Sequence, residues 1–155
     1  MVYYTKGEKE KAIHHFDIAL AIASSFNWSN QLFLVHWYLA LLFLDDGEFD
    51  NANAHLEQAK PHVINNTHNH GLTMETQALV WFEQRRFEGA RSEALGALEI
   101  FEKLGAERDI KLCRGTLQNI DEAETQIQSF GELLYRLSVI LCSASVNLPL
   151  AENAQ

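Results

Sequence analysis

Apolar side chains recur three and four positions apart along most of the chain, the spacing that places them on one face of a helix. In NQLFLVHWYLALLFLDD, His36, Leu39, Ala40 and Phe43 share a face. In GLTMETQALVWFEQ the same spacing aligns Met74, Gln77, Ala78 and Trp81. Read this way, the sequence predicts an all-α protein with helices near 8–26, 31–46, 48–64, 72–85, 87–104, 108–128 and 131–145.

The pattern repeats. The segments GEKEKAIHHFDIAL, GEFDNANAHLEQAK and RRFEGARSEALGAL align on Ala12, Ala52 and Ala90, and seven residues later on Ala19, Ala59 and Ala97. Alanines seven apart lie two helical turns apart on one face, where their small size lets a neighbouring helix approach closely. The aligned alanines are separated by 40 and 38 residues. Gly47 supplies a tight turn between two helices, because glycine takes positive φ at little cost. Helix, short turn, helix, longer turn is the recurring unit.

These residues resemble the tetratricopeptide repeat family, whose pattern asks for a large residue, Leu-small and an aromatic in the first helix, then Ala and a bulky residue in the second. His36-x-x-Leu39-Ala40-x-x-Phe43, followed by Gly47, Phe49, Ala52 and Leu56, follows it closely. Met74, Gln77, Ala78 and Trp81, followed by Phe87, Ala90 and Ala94, follow it more loosely. The first unit keeps Gly7, Ala12, Phe16 and Ala19 but only the end of its first helix, at Tyr3 and Tyr4. The period is longer than the about 34 residues usual in that family. The wording of FDNANAHLEQAK and RSEALGALEIFEKLGA also resembles the repeat regions attached to nucleotide-binding switch proteins of mushroom-forming fungi. The resemblance implies an α-solenoid of antiparallel helix pairs, about three repeats over residues 1–130, plus C-terminal capping helices.

Past Gly105, Ile110, Cys113, Leu117 and Ile120 share a helical face, with Arg114 where a small residue belongs. Gly131 then opens ELLYRLSVILCSASV, apolar over most of its circumference. The segment 131–146 reads as a helix that caps the array, with an oligomer contact or an unrelated tail as alternatives. Residues 147–155 read as a disordered tail. The half repeat at Tyr3 and Tyr4 and the apolar C-terminal helix together imply self-association through the chain ends.

Charge narrows the function. Among 155 residues, 12 are basic and 21 acidic, a net charge of −9, which disfavours nucleic acid as a partner. The longest apolar stretch, interrupted by Arg136, falls short of the about 20 residues of a membrane span, and no signal peptide opens the sequence. With only Cys113 and Cys142, no disulfide framework is implied, and a cytoplasmic location is expected.

Chemistry is sparse. His62, His68 and His70 in PHVINNTHNHG lack a carboxylate or cysteine in the same turn and read as a solvated loop, so no metal or cofactor is expected. No nucleophile elbow, phosphate-cradling loop or paired acid set occurs, and Cys113 reads as a small core residue. The expected function is non-enzymatic: a protein or peptide segment docks in the groove lined by the first helices of each pair. The alignment places Leu34, Trp37, Leu41, Leu44 and Asp45 on that surface, then Leu72, Glu75, Leu79, Phe82 and Glu83, then Arg108, Lys111, Gln118 and Asn119. The peptide-binding candidates are Leu34, Trp37, Leu41, Leu44, Asp45, Glu75, Leu79, Phe82 and Glu83. Acidic Asp45, Glu75 and Glu83 favour a ligand with basic flanks. Burial of Trp37, Leu41 and Phe82 between neighbouring helices is the competing reading. The rival function is a structural or sensor segment of a larger NTPase or signalling protein, contacting its own chain.

Overall fold

The computed structural model describes the backbone of residues 6–146 and the side chains of 8–139. Tyr3, Tyr4 and the 147–155 tail lie outside the described residues, and so does the side chain of Cys142. The described elements are all helical: α1 (Lys6–Ser25), α2 (Ser29–Asp45), α3 (Phe49–Ala59), α4 (His68–Glu83), α5 (Phe87–Leu104) and α6 (Glu107–Val146), with a 3-10 turn at Lys60–His62. The chain divides into two compact units, Met1–Ile120 and Asp121–Gln155.

In the first unit α2 packs chiefly on α3 and α4 on α5, while α1 lies against α2 and α3 against α4. Short connections force each pair into a hairpin of antiparallel neighbours. The turns that close these hairpins share one geometry. Asn27, Gly47, Arg85 and Gly105 have φ of 53, 75, 59 and 66°. After each, an N–H reaches back five residues: Trp28 to the carbonyl of Ala23 (2.9 Å), Glu48 to Phe43 (2.9 Å), Arg86 to Trp81 (2.8 Å) and Ala106 to Phe101 (3.0 Å). This Schellman closure satisfies carbonyls that the helix end would otherwise orphan.

Small residues make the packing possible. Ala40, Ala52, Ala59, Ala78, Ala90, Ala94 and Ala97 are fully buried. Ala40, Ala52, Leu56 and Val80 form one core cluster, with Trp37, Phe43, Leu44, Phe49 and Trp81 packed against it. Ala97, Phe101, Ile110 and Cys113 form a second. Ala12 and Ala19, on α1, are only partly buried. Gly71 belongs to the same economy of space, since a Cβ there would stand 2.6 Å from the ring of buried Phe101.

The helix boundaries differ from the sequence expectation in three places. The α-helix α3 ends at Ala59, and Pro61 turns the next residues into a 3-10 turn, because proline cannot donate to the helical ladder. The helix α4 starts at His68, so His68 and His70 sit in its first turn and not in a loop. The helix α6 runs unbroken through Gly131, where a stop was expected. A glycine inside a helix costs only about 1 kcal/mol, and without a positive φ or a proline it does not end one.

The shared turn geometry makes opposite predictions for two of its residues. Gly47→Ala forces a Cβ into the left-handed region and should cost about 1–2 kcal/mol. Arg85→Gly relieves the same strain and, after the added flexibility of the unfolded chain, should stabilise by about 0.5–1 kcal/mol. Urea unfolding of the two variants beside the parent measures both signs.

Candidate functional site

A groove of about 700 Å³ opens among α1, α2, α3 and α4. The helix α1 contributes Ala12 and Phe16, four residues apart on one face. The C-terminal half of α2 contributes Tyr38, Leu41, Leu42, Leu44 and Asp45, the turn and α3 add Gly47 and Phe49, and α4 adds Leu79 and Glu83. Phe16 and Tyr38 stack with ring centroids 6.3 Å apart, forming one wall.

Five of the nine expected residues therefore meet in one place: Leu41, Leu44, Asp45, Leu79 and Glu83. The other four lie elsewhere. Trp37 is half-buried; its indole Nε1 donates to Thr76 Oγ1 at 2.9 Å, and its ring packs on Phe33 and Tyr38. Phe82 sits edge-on to Phe87, at 5.8 Å. Glu75 is in the electrostatic neighbourhood of α6, where burial, helped by the charge of Asp109, holds its carboxyl above the ordinary value. Leu34 is half-buried and does not line the groove. Arg108, Lys111, Gln118 and Asn119 are exposed on α6.

The sequence reading missed Ala12, Phe16, Tyr38, Leu42 and Phe49. The four-residue spacing of Ala12 and Phe16 was the available signal, because it gives α1 a face able to wall a groove.

Charge is arranged unevenly around this groove. Lys9 of α1 bonds to Asp46 and, at 2.8 Å, to Glu48 in the α2–α3 turn, with its ammonium 5.0 Å over the Phe43 ring. Partial burial works against the Lys9 charge, yet the bonds to Asp46 and Glu48 prevail and hold it above the ordinary ammonium value. The Lys9 bond, with help from Asn51, holds Glu48 below the ordinary carboxyl value. Asp45 and Glu83 have no ion-pair partner among the described residues. They leave the groove rim acidic.

Other chemically notable side chains are engaged elsewhere. His62 Nδ1 pairs with Ser29 Oγ at 3.1 Å, His68 Nε2 with Asp109 at 2.9 Å, and His70 Nδ1 accepts the Asn66 N–H at 3.1 Å. These three histidines take three separate partners. Burial, reinforced by Glu75 and Asp109, pushes the Cys113 thiol up to about 12, which leaves it un-ionised at neutral pH. Among the described residues no helix is long and apolar enough to cross a membrane.

No family model, curated protein or solved structure matches this chain.

Behind the groove, His36 of α2 and His55 of α3 meet with their Nδ1 atoms 3.2 Å apart, and Phe43 stacks on His55. One ring must donate and the other accept, so both cannot be protonated in this geometry. Burial, then the neighbouring His55 and His62, lower the pKa of His36; burial lowers that of His55 against the opposing charge of Asp17. With folded values below the ordinary 6.5, the contribution is fully present above that pH. It is lost as pH falls, because the unfolded chain takes up protons first. The histidine pair should therefore lower the melting temperature between pH 7 and pH 5, against Glu75 and Glu93, whose raised values act in the opposite direction, and a His36→Gln/His55→Gln double variant should lose that contribution.

Proposed function

We propose that this chain is a tetratricopeptide-like α-solenoid segment, a non-enzymatic interaction module that binds a peptide or helix in the groove between α2 and α4. The hairpins that repeat with one turn geometry and one small-residue register support the architecture. The groove composition supports the function. Its floor is Leu41, Leu42, Leu44 and Leu79, while its two charged side chains, Asp45 and Glu83, are both acidic and have no ion-pair partner among the described residues. That combination carries the reading. Neighbouring Asp46 and Glu48 share Lys9 as a cationic partner, whereas the rim acids are left to whatever docks.

The ligand this surface suits has apolar anchor side chains flanked by lysine or arginine. Burying the anchors against the leucines supplies affinity, and the rim charges supply orientation and a faster encounter. Trp37 acts here as a strut between α2 and α4 and not as an anchor, because its indole N–H is committed to Thr76.

Selection from a short random-peptide library on the purified protein tests the reading. Peptides with apolar residues beside Lys or Arg should be enriched, and raising salt should weaken them as the rim charges are screened. Leu79→Glu, which puts a hydrated charge where the apolar anchor is to be buried, should abolish their binding. Trp37→Phe, which loses one hydrogen bond, should cost about 1 kcal/mol of stability and leave binding intact. Enriched peptides that bind Leu79→Glu as well as the parent would refute the groove.

A further inference from the structure

Beyond Ile120 the helix α6 carries an apolar face that the described structure leaves open. Ala123, Ile127, Phe130, Leu134 and Leu137 follow at intervals of four, three, four and three residues. A mean spacing of 3.5 is that of a coiled-coil seam. Ile127, Phe130, Leu134 and Leu137 are between 46 and 61 % exposed, and Leu133 adds 53 % exposure beside them.

The seam says what kind of surface covers it. In the Met1–Ile120 unit, helices meet through fully buried alanines set against large residues. After Ala123 every seam position is large, which suits interdigitation with another helix of the same period. Gln126, Ser129, Phe130, Glu132, Leu133 and Arg136 line a hollow of about 520 Å³ along one flank of the seam.

We propose that the occupant is a second copy of this chain, and that the two α6 helices pair antiparallel through Ile127, Phe130, Leu134 and Leu137. When Phe130 lies opposite Leu134, Ile127 lies opposite Leu137, so each seam residue meets another and a two-fold axis relates them. Charge fixes the direction. Asp121, Glu122 and Glu124 cluster at one end of the segment, and no charged residue occurs from Leu137 to Val146. A parallel pair would gather six carboxylates, at a repulsive cost that an antiparallel pair avoids by setting each acidic end against an uncharged one.

Sedimentation of the full chain, from about 10 to about 200 µM, reads the association directly. The expected mass is twice the 17.6 kDa of one chain. Leu134→Glu should weaken self-association by about tenfold or more. Tyr135→Glu, one position off the seam and 71 % exposed, should leave it unchanged. Circular dichroism checks that both variants keep their helicity, and Leu134→Ala replaces Leu134→Glu should the latter lose it. Direction is read by spin labels at Thr125→Cys and Glu132→Cys, each in a Cys142→Ser background. These sites lie seven residues apart on one face, so a parallel pair gives equal label distances and an antiparallel pair gives a shorter one at 132. A monomer throughout, a larger oligomer, equal loss from both Glu variants or equal label distances would each overturn the antiparallel pair.

Discussion

One backbone constraint organises the first unit: a residue in the left-handed region about every twentieth position. Asn27, Gly47, Asn66, Arg85 and Gly105 all have positive φ and stand 20, 19, 19 and 20 residues apart. Asn27, Gly47, Arg85 and Gly105 each close one helix and let the next begin after only a few residues, while Asn66 precedes the start of α4, so helix length and hairpin pairing follow from where these residues fall. At Asn66 the closure differs, with the backbone N–H bonding to the His70 ring. Continuing the interval leads to Glu124 and Thr125, in a stretch with neither glycine, asparagine nor proline. No turn forms there, and α6 extends to 40 residues, about two of the earlier helices joined end to end. Among the described residues the apolar side chains from Ile127 to Val139 on this extended helix are exposed.

Much of this was legible in the sequence, for identifiable reasons. The alanine pairs and Gly47 betray close-packed hairpins because small residues and positive φ have few substitutes. The full turn periodicity was harder to see, since Arg85 occupies the same backbone state as Gly47 at a cost that no composition rule flags. Gly131 misled in the opposite direction: glycine permits a turn without requiring one, and here it remains helical. His68 and His70 read as loop residues because polar segments and first helical turns share the same composition. Their helical start emerges only with the packing of α4 against α5.

The groove was half legible. Leu41, Leu44, Asp45, Leu79 and Glu83 lie near the C-terminal ends of α2 and α4, where spacing alone puts them on one surface. Leu34, Trp37 and Glu75, nearer the N-terminal ends, share that helical spacing but line no part of the groove. Phe82 leaves it by turning towards Phe87. Periodicity identifies a face; it does not say which part of that face a neighbouring helix covers.

Small-residue contacts alone would leave neighbouring helices free to slide, because an alanine surface is nearly featureless. Buried polar pairs remove that freedom. Gln77, 4 % exposed, donates from Nε2 to Asn53 at 2.7 Å and ties α4 to α3. Trp37 donates to Thr76, itself buried, and ties α2 to α4. A shift of one helix along its neighbour would strand these donors without partners, a desolvation penalty of about 1–3 kcal/mol each. The same two bonds therefore favour one register of α2, α3 and α4. Leu41 and Leu44 lie one and two turns beyond Trp37, and Leu79 lies one turn beyond Thr76, so the apolar floor is helped into register by polar atoms that do not line it.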